Sequence, residues 1–226
     1  MTALLRVAWA VLWKDLVVER RAKEGANALS FFAILLLFLF YFALGPDRER
    51  IRVALPGLFW LTFILAGLLG LGRAFALERE NDCLDGLIMA PGDKGAIYLG
   101  KVAGTTILML VMEVAFIAAA GIFYNLDIWA TTPRLLLVTL GGTIGFAAVG
   151  TLFAAMTAQL RAREVLLPVL LLPLVVPVLL ASVKLTETAL GGEPWATAAA
   201  WWQLLLGFDV IFLVAGLLTF EFVLEA

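Results

Sequence analysis

The chain has 226 residues, 63% of them hydrophobic and only 15% charged, with a mean hydropathy of +1.04, whereas an ordinary soluble domain is about 25% charged. A soluble fold would expose far more apolar surface than soluble monomers carry, so the composition predicts an all-α integral membrane protein, and a formal net charge of −2 gives no basis for a nucleic-acid partner. A single cysteine, Cys83, excludes an internal disulfide, and the absence of histidine removes the commonest metal ligand and the usual general base, so neither a metal site nor a catalytic residue is expected.

Residues 1–26 read as an amphipathic helix lying in the membrane interface. Leu5, Trp9, Leu12 and Leu16 fall on one helical seam with Lys14 opposite, although Val7, Val11 and Val18 spread apolar surface to a second face. The apolar run from Val7 to Trp13 stops at Lys14, unlike a cleavable signal peptide, so this segment is expected to remain in the mature protein.

Six stretches are long and apolar enough to cross the roughly 30 Å hydrocarbon core: Asn27–Leu44, Ala54–Leu71, Ala96–Tyr124, Leu135–Ala158, Val165–Val183 and Leu204–Leu224. The connectors GPDRERIR (45–52), Arg73 to Lys94 and RAREV (161–165) are too polar for lipid, and none is long enough to form a separate soluble core. With the N-terminus inside, eleven Lys and Arg fall on the inner side (Arg6, Lys14, Arg20, Arg21, Lys23, Arg73, Arg79, Lys94, Lys101, Arg161 and Arg163) and five outside (Arg48, Arg50, Arg52, Arg134 and Lys184). Positively charged loops resist translocation, so both termini are predicted to be cytoplasmic. The tryptophans agree: Trp9 and Trp13 fall at the inner interface, and Trp60, Trp129, Trp195, Trp201 and Trp202 at or near the outer one.

The stretch GAIYLGKV imitates a phosphate-binding loop, with Gly95, Gly100 and Lys101 at G-x-x-x-x-G-K spacing. Val102 stands where a magnesium-binding Ser or Thr is required, and no strand precedes it. It is read instead as the entry of the third span, with the Lys101 ammonium snorkelling back to the interface. Any ATP used with this chain must be hydrolysed by another subunit.

The loop before it carries Glu78, Arg79, Glu80, Asp82 and Asp85 around Leu84, Leu87, Ile88 and Met89, a pattern suited to a short helix inserting its apolar side into a partner's groove. Glu113 lies twelve residues beyond Lys101, about 18 Å deeper at 1.5 Å per residue, and an ionisable group at that depth marks a functional or assembly position. Asp209 follows Phe208 in the last span, below Trp195, Trp201 and Trp202, an aromatic surface suited to a flat amphipathic ligand. Pro168, Pro173 and Pro177 interrupt the fifth span and make it deformable, and Gly141, Gly145, Gly150 and Ala154 give the fourth a small-residue face for close helix contact.

FYFALGPD (40–47), APGDKGAIYLGK (90–101), LLLPLVVPVLL (170–180) and FDVIFLVAGLLTFEFVLE (208–225), in this order, resemble the heme exporter protein B family, CcmB, and the likeness runs over nearly the whole chain. The resemblance implies an ABC-2 exporter-like permease: one transmembrane domain, with residues 1–26 as the elbow helix and residues 73–95 as a cytoplasmic coupling loop. It implies that a separate CcmA-like ATPase uses ATP and magnesium, that CcmC and CcmD associate, and that heme passes to the periplasmic chaperone CcmE. It also implies that Glu78 to Ile88 contacts the ATPase, that two copies of the chain share the complex, and that both sit in a bacterial inner membrane. Without histidine, iron cannot be ligated here by imidazole, so on this resemblance heme meets this chain through apolar and aromatic surface or takes its axial ligands from CcmC, the second being preferred. On the residues alone, a permease for lipids or drugs and a non-transporting assembly scaffold remain as alternatives. A membrane enzyme does not, because there is no Ser/His pair, His cluster or pair of intramembrane aspartates.

Overall fold

The computed structural model of the chain describes residues 2–22, 24–45, 47–80, 93–124, 131–158, 160 and 162–225. Every described element is helical: α1 (Thr2–Ala22), α2 (Glu24–Leu44), α3 (Arg48–Glu80), α4 (Lys94–Phe123), α5 (Thr132–Thr157), α6 (Arg163–Gly191), a 3-10 turn at Trp195–Ala198, and α7 (Ala199–Glu225). The helices α2 to α7 each hold a stretch long and apolar enough to cross a membrane. The chain is a multi-pass membrane protein, as the composition requires. Phe42, Ile122, Leu218 and Phe222 point outward from the bundle, as side chains facing lipid do.

The spans begin and end differently from their apolar limits, and local hydrogen bonding explains why. Polar residues 47–52 open α3 instead of forming a loop: the Asp47 carboxylate accepts the N–H groups of Glu49 (3.1 Å) and Arg50 (3.3 Å) and pairs with the Arg50 guanidinium at 3.0 Å. At its other end α3 runs on to Glu80, well past its apolar stretch. The helix α6 continues beyond Val183 because its polar residues bond within the helix. Thr186 donates to the Ser182 carbonyl at 2.7 Å, Thr188 to that of Lys184 at 3.0 Å, and Lys184 pairs with Glu187 at 2.8 Å. Lys184 is therefore helical, not a loop residue. The chain leaves α6 at Gly192, whose φ of 71° is the left-handed conformation that glycine adopts freely.

In lipid, helices are drawn together by close van der Waals contact and internal hydrogen bonds, since apolar burial gains little. The small residues of α5 supply that closeness, and α5 is the most buried span. Gly141 faces Leu205 and Gly145 faces Asp209, both on α7, while Gly142 and Gly150 face Trp60 and Leu71 on α3. The glycine face read from the sequence thus serves two neighbours. A Cβ at position 142 would fall on the Trp60 ring and the Ser182 hydroxyl, so the approach depends on glycine there. Successive helices run up and down: α4 and α6 are antiparallel to α5, whereas α3 and α7 run with it.

Candidate functional site

The start of α4 joins three other helices. Asp93 caps it, its carboxylate accepting the Gly95 N–H at 2.8 Å. Gly95 lies against the Leu217 carbonyl of α7. The Tyr98 ring is fully buried, and its phenol reaches the carbonyls of Ala148 on α5 (3.0 Å) and Phe212 on α7 (3.2 Å). Gly100 lets α1 come close: a Cβ there would be 2.6 Å from the Ala8 carbonyl oxygen and 2.8 Å from Val11 Cβ. Lys101, only 3% exposed, pairs with Asp15 of α1 at 3.0 Å, and Asp15 also pairs with Lys14 at 3.1 Å. A carboxylate from the first helix meets the Lys101 ammonium where it is.

This contact also orients α1. Val11 and Leu12 of α1 are buried against the bundle, while Leu5 and Trp9 of the seam read from the sequence, and Trp13, are exposed on it. Trp9 and Trp13 stack outward with centroids 6.4 Å apart. Gly100 faces Ala8 and Val11 of α1, and Gly104 faces Leu12 and Asp15.

Glu113 sits at the middle of α4 with no exposed surface, and the Thr143 hydroxyl of α5 donates to its Oε1 at 2.7 Å, leaving Oε2 without a partner. Glu113 thus bonds to a neighbouring span of the same chain. Asp209 lies at nearly the same level on another side of α5, against Gly145 and Val178, and its Oδ1 is likewise unpartnered. Between them Trp60 donates its indole N–H to Thr186 Oγ1 at 2.9 Å, tying α3 to α6. Trp60, read from the sequence as near the outer interface, is buried within the bundle, where Thr186 satisfies its N–H.

At the end of the bundle remote from α1, Trp195 and Trp202 meet edge to face with centroids 5.5 Å apart, and the Arg134 guanidinium lies 5.6 Å from the Trp195 ring. Arg134 also donates to the Glu193 carbonyl at 3.2 Å. Trp201 is partly buried beside this pair. Phe208 and Asp209 are buried, and Phe208 lies against Phe212 with ring centroids 4.3 Å apart. Arg134 was missed by sequence reasoning, which counted it only as a loop charge. Pro168, Pro173 and Pro177 all lie within α6, which stays helical through them, and Pro56 is a fourth intrahelical proline, in α3.

Of the expected partner-docking residues, Glu78 lies on the last turns of α3. Asp82, Leu84, Asp85, Leu87 and Ile88, together with Cys83 and Trp129, lie outside the described residues. Among the described residues no group of three or more His, Cys, Asp or Glu side chains could hold a metal ion.

A family model described as CcmB protein matches residues 6–224. Relatives carrying the name heme exporter protein B include one from Pseudomonas aeruginosa, 31% identical over 186 residues (80% of this chain and 81% of the relative). Others come from Rhodobacter capsulatus, 33% identical over 81% of this chain and 84% of the relative, and from Bradyrhizobium diazoefficiens, 30% identical over 96% and 94%. Because the family match takes in all six spans and the joint at the start of α4, the chain belongs to the CcmB family.

Proposed function

We propose that the chain is the permease subunit of an ABC transporter complex for cytochrome c maturation, coupling ATP hydrolysis in a separate CcmA-like ATPase to export or handover of heme. The observation that carries this reading is the family match from residue 6 to residue 224, joined by relatives named heme exporter protein B. In this reading the protein lies in the bacterial inner membrane with both termini cytoplasmic, supported by the excess of Lys and Arg on that side. CcmC, CcmD and the chaperone CcmE complete the machinery, with two copies of this chain in the complex. ATP and magnesium bind the ATPase, not this chain: Gly95 to Val102, the one stretch resembling a phosphate loop, is buried in α4 with its lysine paired to Asp15.

The division of labour follows the chain. Residues Glu78 to Ile88 offer the ATPase a small apolar group, Leu84, Leu87 and Ile88, rimmed by Glu78, Asp82 and Asp85. At the far, periplasmic end, Trp195 and Trp202 give a flat porphyrin faces to stack on, and the Arg134 guanidinium stands beside them to pair with its carboxylates. Heme is cargo here, and its axial ligands come from CcmC. Proline-interrupted α6 supplies the deformable wall between the two ends.

Deleting the chain should abolish c-type cytochromes and leave b-type cytochromes normal, and the purified wild-type chain should carry a soluble ATPase with it. Leu84→Asp or Leu87→Asp should remove that ATPase without preventing membrane insertion. Normal c-type cytochromes in the deletion strain would overturn the maturation role. Undiminished ATPase association in both aspartate variants would overturn the docking assignment.

A further inference from the structure

We infer that the outward face of α1 is a binding surface for anionic phospholipid headgroups, with Arg6, Arg20 and Arg21 taking the phosphates and Trp9 and Trp13 seated between them. The inference needs only that the chain lies in a membrane, and does not depend on what the permease carries.

The outward face is fixed by the contacts on the other side of the helix. Ala8, Val11, Leu12 and Asp15 turn toward Gly100 and Gly104 of α4. At 3.6 residues per turn this sends Arg6, Trp9, Trp13 and Arg20 outward in one stripe, with Leu5 and Leu16 along one edge and Arg21 along the other. Trp9 and Trp13 are 63% and 59% exposed, and all three arginines are exposed as well. The acidic residues of α1, Asp15 and Glu19, stand four apart on the α4 side, so the stripe carries positive charge alone.

The neighbouring surface says what covers this stripe. Gly100 and Gly104 belong to a row of α4 that continues through Ile107 and Val111, both exposed on the bundle. Beyond α1 that row faces lipid, so α1 sits at the border of the lipid-facing surface. Indoles favour such a border, and here two of them stack with centroids 6.4 Å apart. A guanidinium takes phosphate oxygens through paired hydrogen bonds. An acidic soluble protein would match the charge, but not two indoles and a leucine held open at the edge of lipid. Arg6 and Arg20 are separated by about 21 Å of helix at 1.5 Å per residue, so the two ends of the stripe hold separate lipids.

The test uses the full chain with its co-purifying subunits, reconstituted in phosphatidylcholine bilayers. The fluorescence of Trp9 and Trp13 is that of the wild type minus that of Trp9→Phe/Trp13→Phe. It is quenched with rising fractions of phosphatidylglycerol or of phosphatidylcholine, each brominated near the headgroup. Half-quenching should need about fivefold less phosphatidylglycerol than phosphatidylcholine, the preference that about one basic side chain confers at an anionic surface. Arg6→Gln/Arg20→Gln/Arg21→Gln should bring the two lipids level, whereas the matching triple lysine variant should keep about half the preference, since charge remains and the paired geometry goes. Arg52→Gln, an exposed arginine on α3, should leave the preference as it is. Equal half-quenching by the two lipids in the wild type would overturn the proposal. So would an absence of quenching by either, which marks a face covered by protein, or a preference that survives the triple glutamine variant or disappears with Arg52→Gln. If the triple variant fails to accumulate, Arg6→Gln and Arg20→Gln decide singly, each expected to lower the preference about twofold, and an unchanged preference in both overturns the assignment.

Discussion

Glu113 and Thr143 show how a buried polar pair can be complete on one side and open on the other. The threonine hydroxyl at 2.7 Å satisfies Oε1, and Oε2 faces no donor. Removing a donor inside a bundle leaves its acceptor unsatisfied, at a cost of about 1–3 kcal/mol. Thr143→Val should therefore lower the stability of the detergent-solubilised complex by about that amount, read as a drop in its unfolding temperature. Glu113→Gln retains a carbonyl acceptor of the same size at the same place, so assembly and c-type cytochrome yield should stay within about twofold of wild type, a free-energy change under about 0.5 kcal/mol. A glutamine variant that assembles normally and has no activity would give Glu113 a proton-carrying role instead. Sequence depth alone singled out Glu113. Nothing in the sequence could select Thr143 among the chain's many threonines, because the choice depends on how α5 is rotated against α4.

Between elements, α1 and α4 meet by glycine at two positions that the structure makes unequal. A Cβ at position 100 would overlap the α1 backbone at 2.6 Å, whereas one at position 104 meets nothing nearer than Asp15 Cβ at 3.6 Å. Backbone cannot step aside as a side chain end can, so Gly100→Ala should push α1 away and cost about 1–3 kcal/mol. Gly104→Ala should change stability by less than about 0.5 kcal/mol. The measurement is thermal unfolding of both variants in the same detergent, and equal effects would show that α1 does not sit in this groove. The amphipathic character of α1 was legible in its residues, but the choice of its buried face was not. Leu5 and Trp9 of the interfacial seam stay exposed on the bundle, where lipid accepts such side chains as readily as a protein groove does.

For the whole molecule, the proposed topology of six spans puts Cys83 and Glu193 on opposite sides of the membrane. Cys83 is the chain's only cysteine, so it needs no engineering as a probe. A membrane-impermeant thiol reagent should leave it unmodified in intact spheroplasts and label it in inside-out vesicles. Glu193→Cys in a Cys83→Ser chain should label in the reverse order. Labelling of Cys83 from outside would invert the topology and remove the ATPase's access to residues 78–88.

The membrane class, the six spans and the family were determined by sequence alone, because each rests on local properties. About 20 apolar residues suffice to cross the bilayer wherever they occur, and ordered motifs need no knowledge of contacts. Tertiary structure decided where charge and aromatic side chains go. Lys101 meets an aspartate 86 residues away, and the Trp60 indole meets a threonine 126 residues away. Sequence position placed both near an interface but could not name these partners, because a buried polar group goes wherever the fold supplies its hydrogen bond.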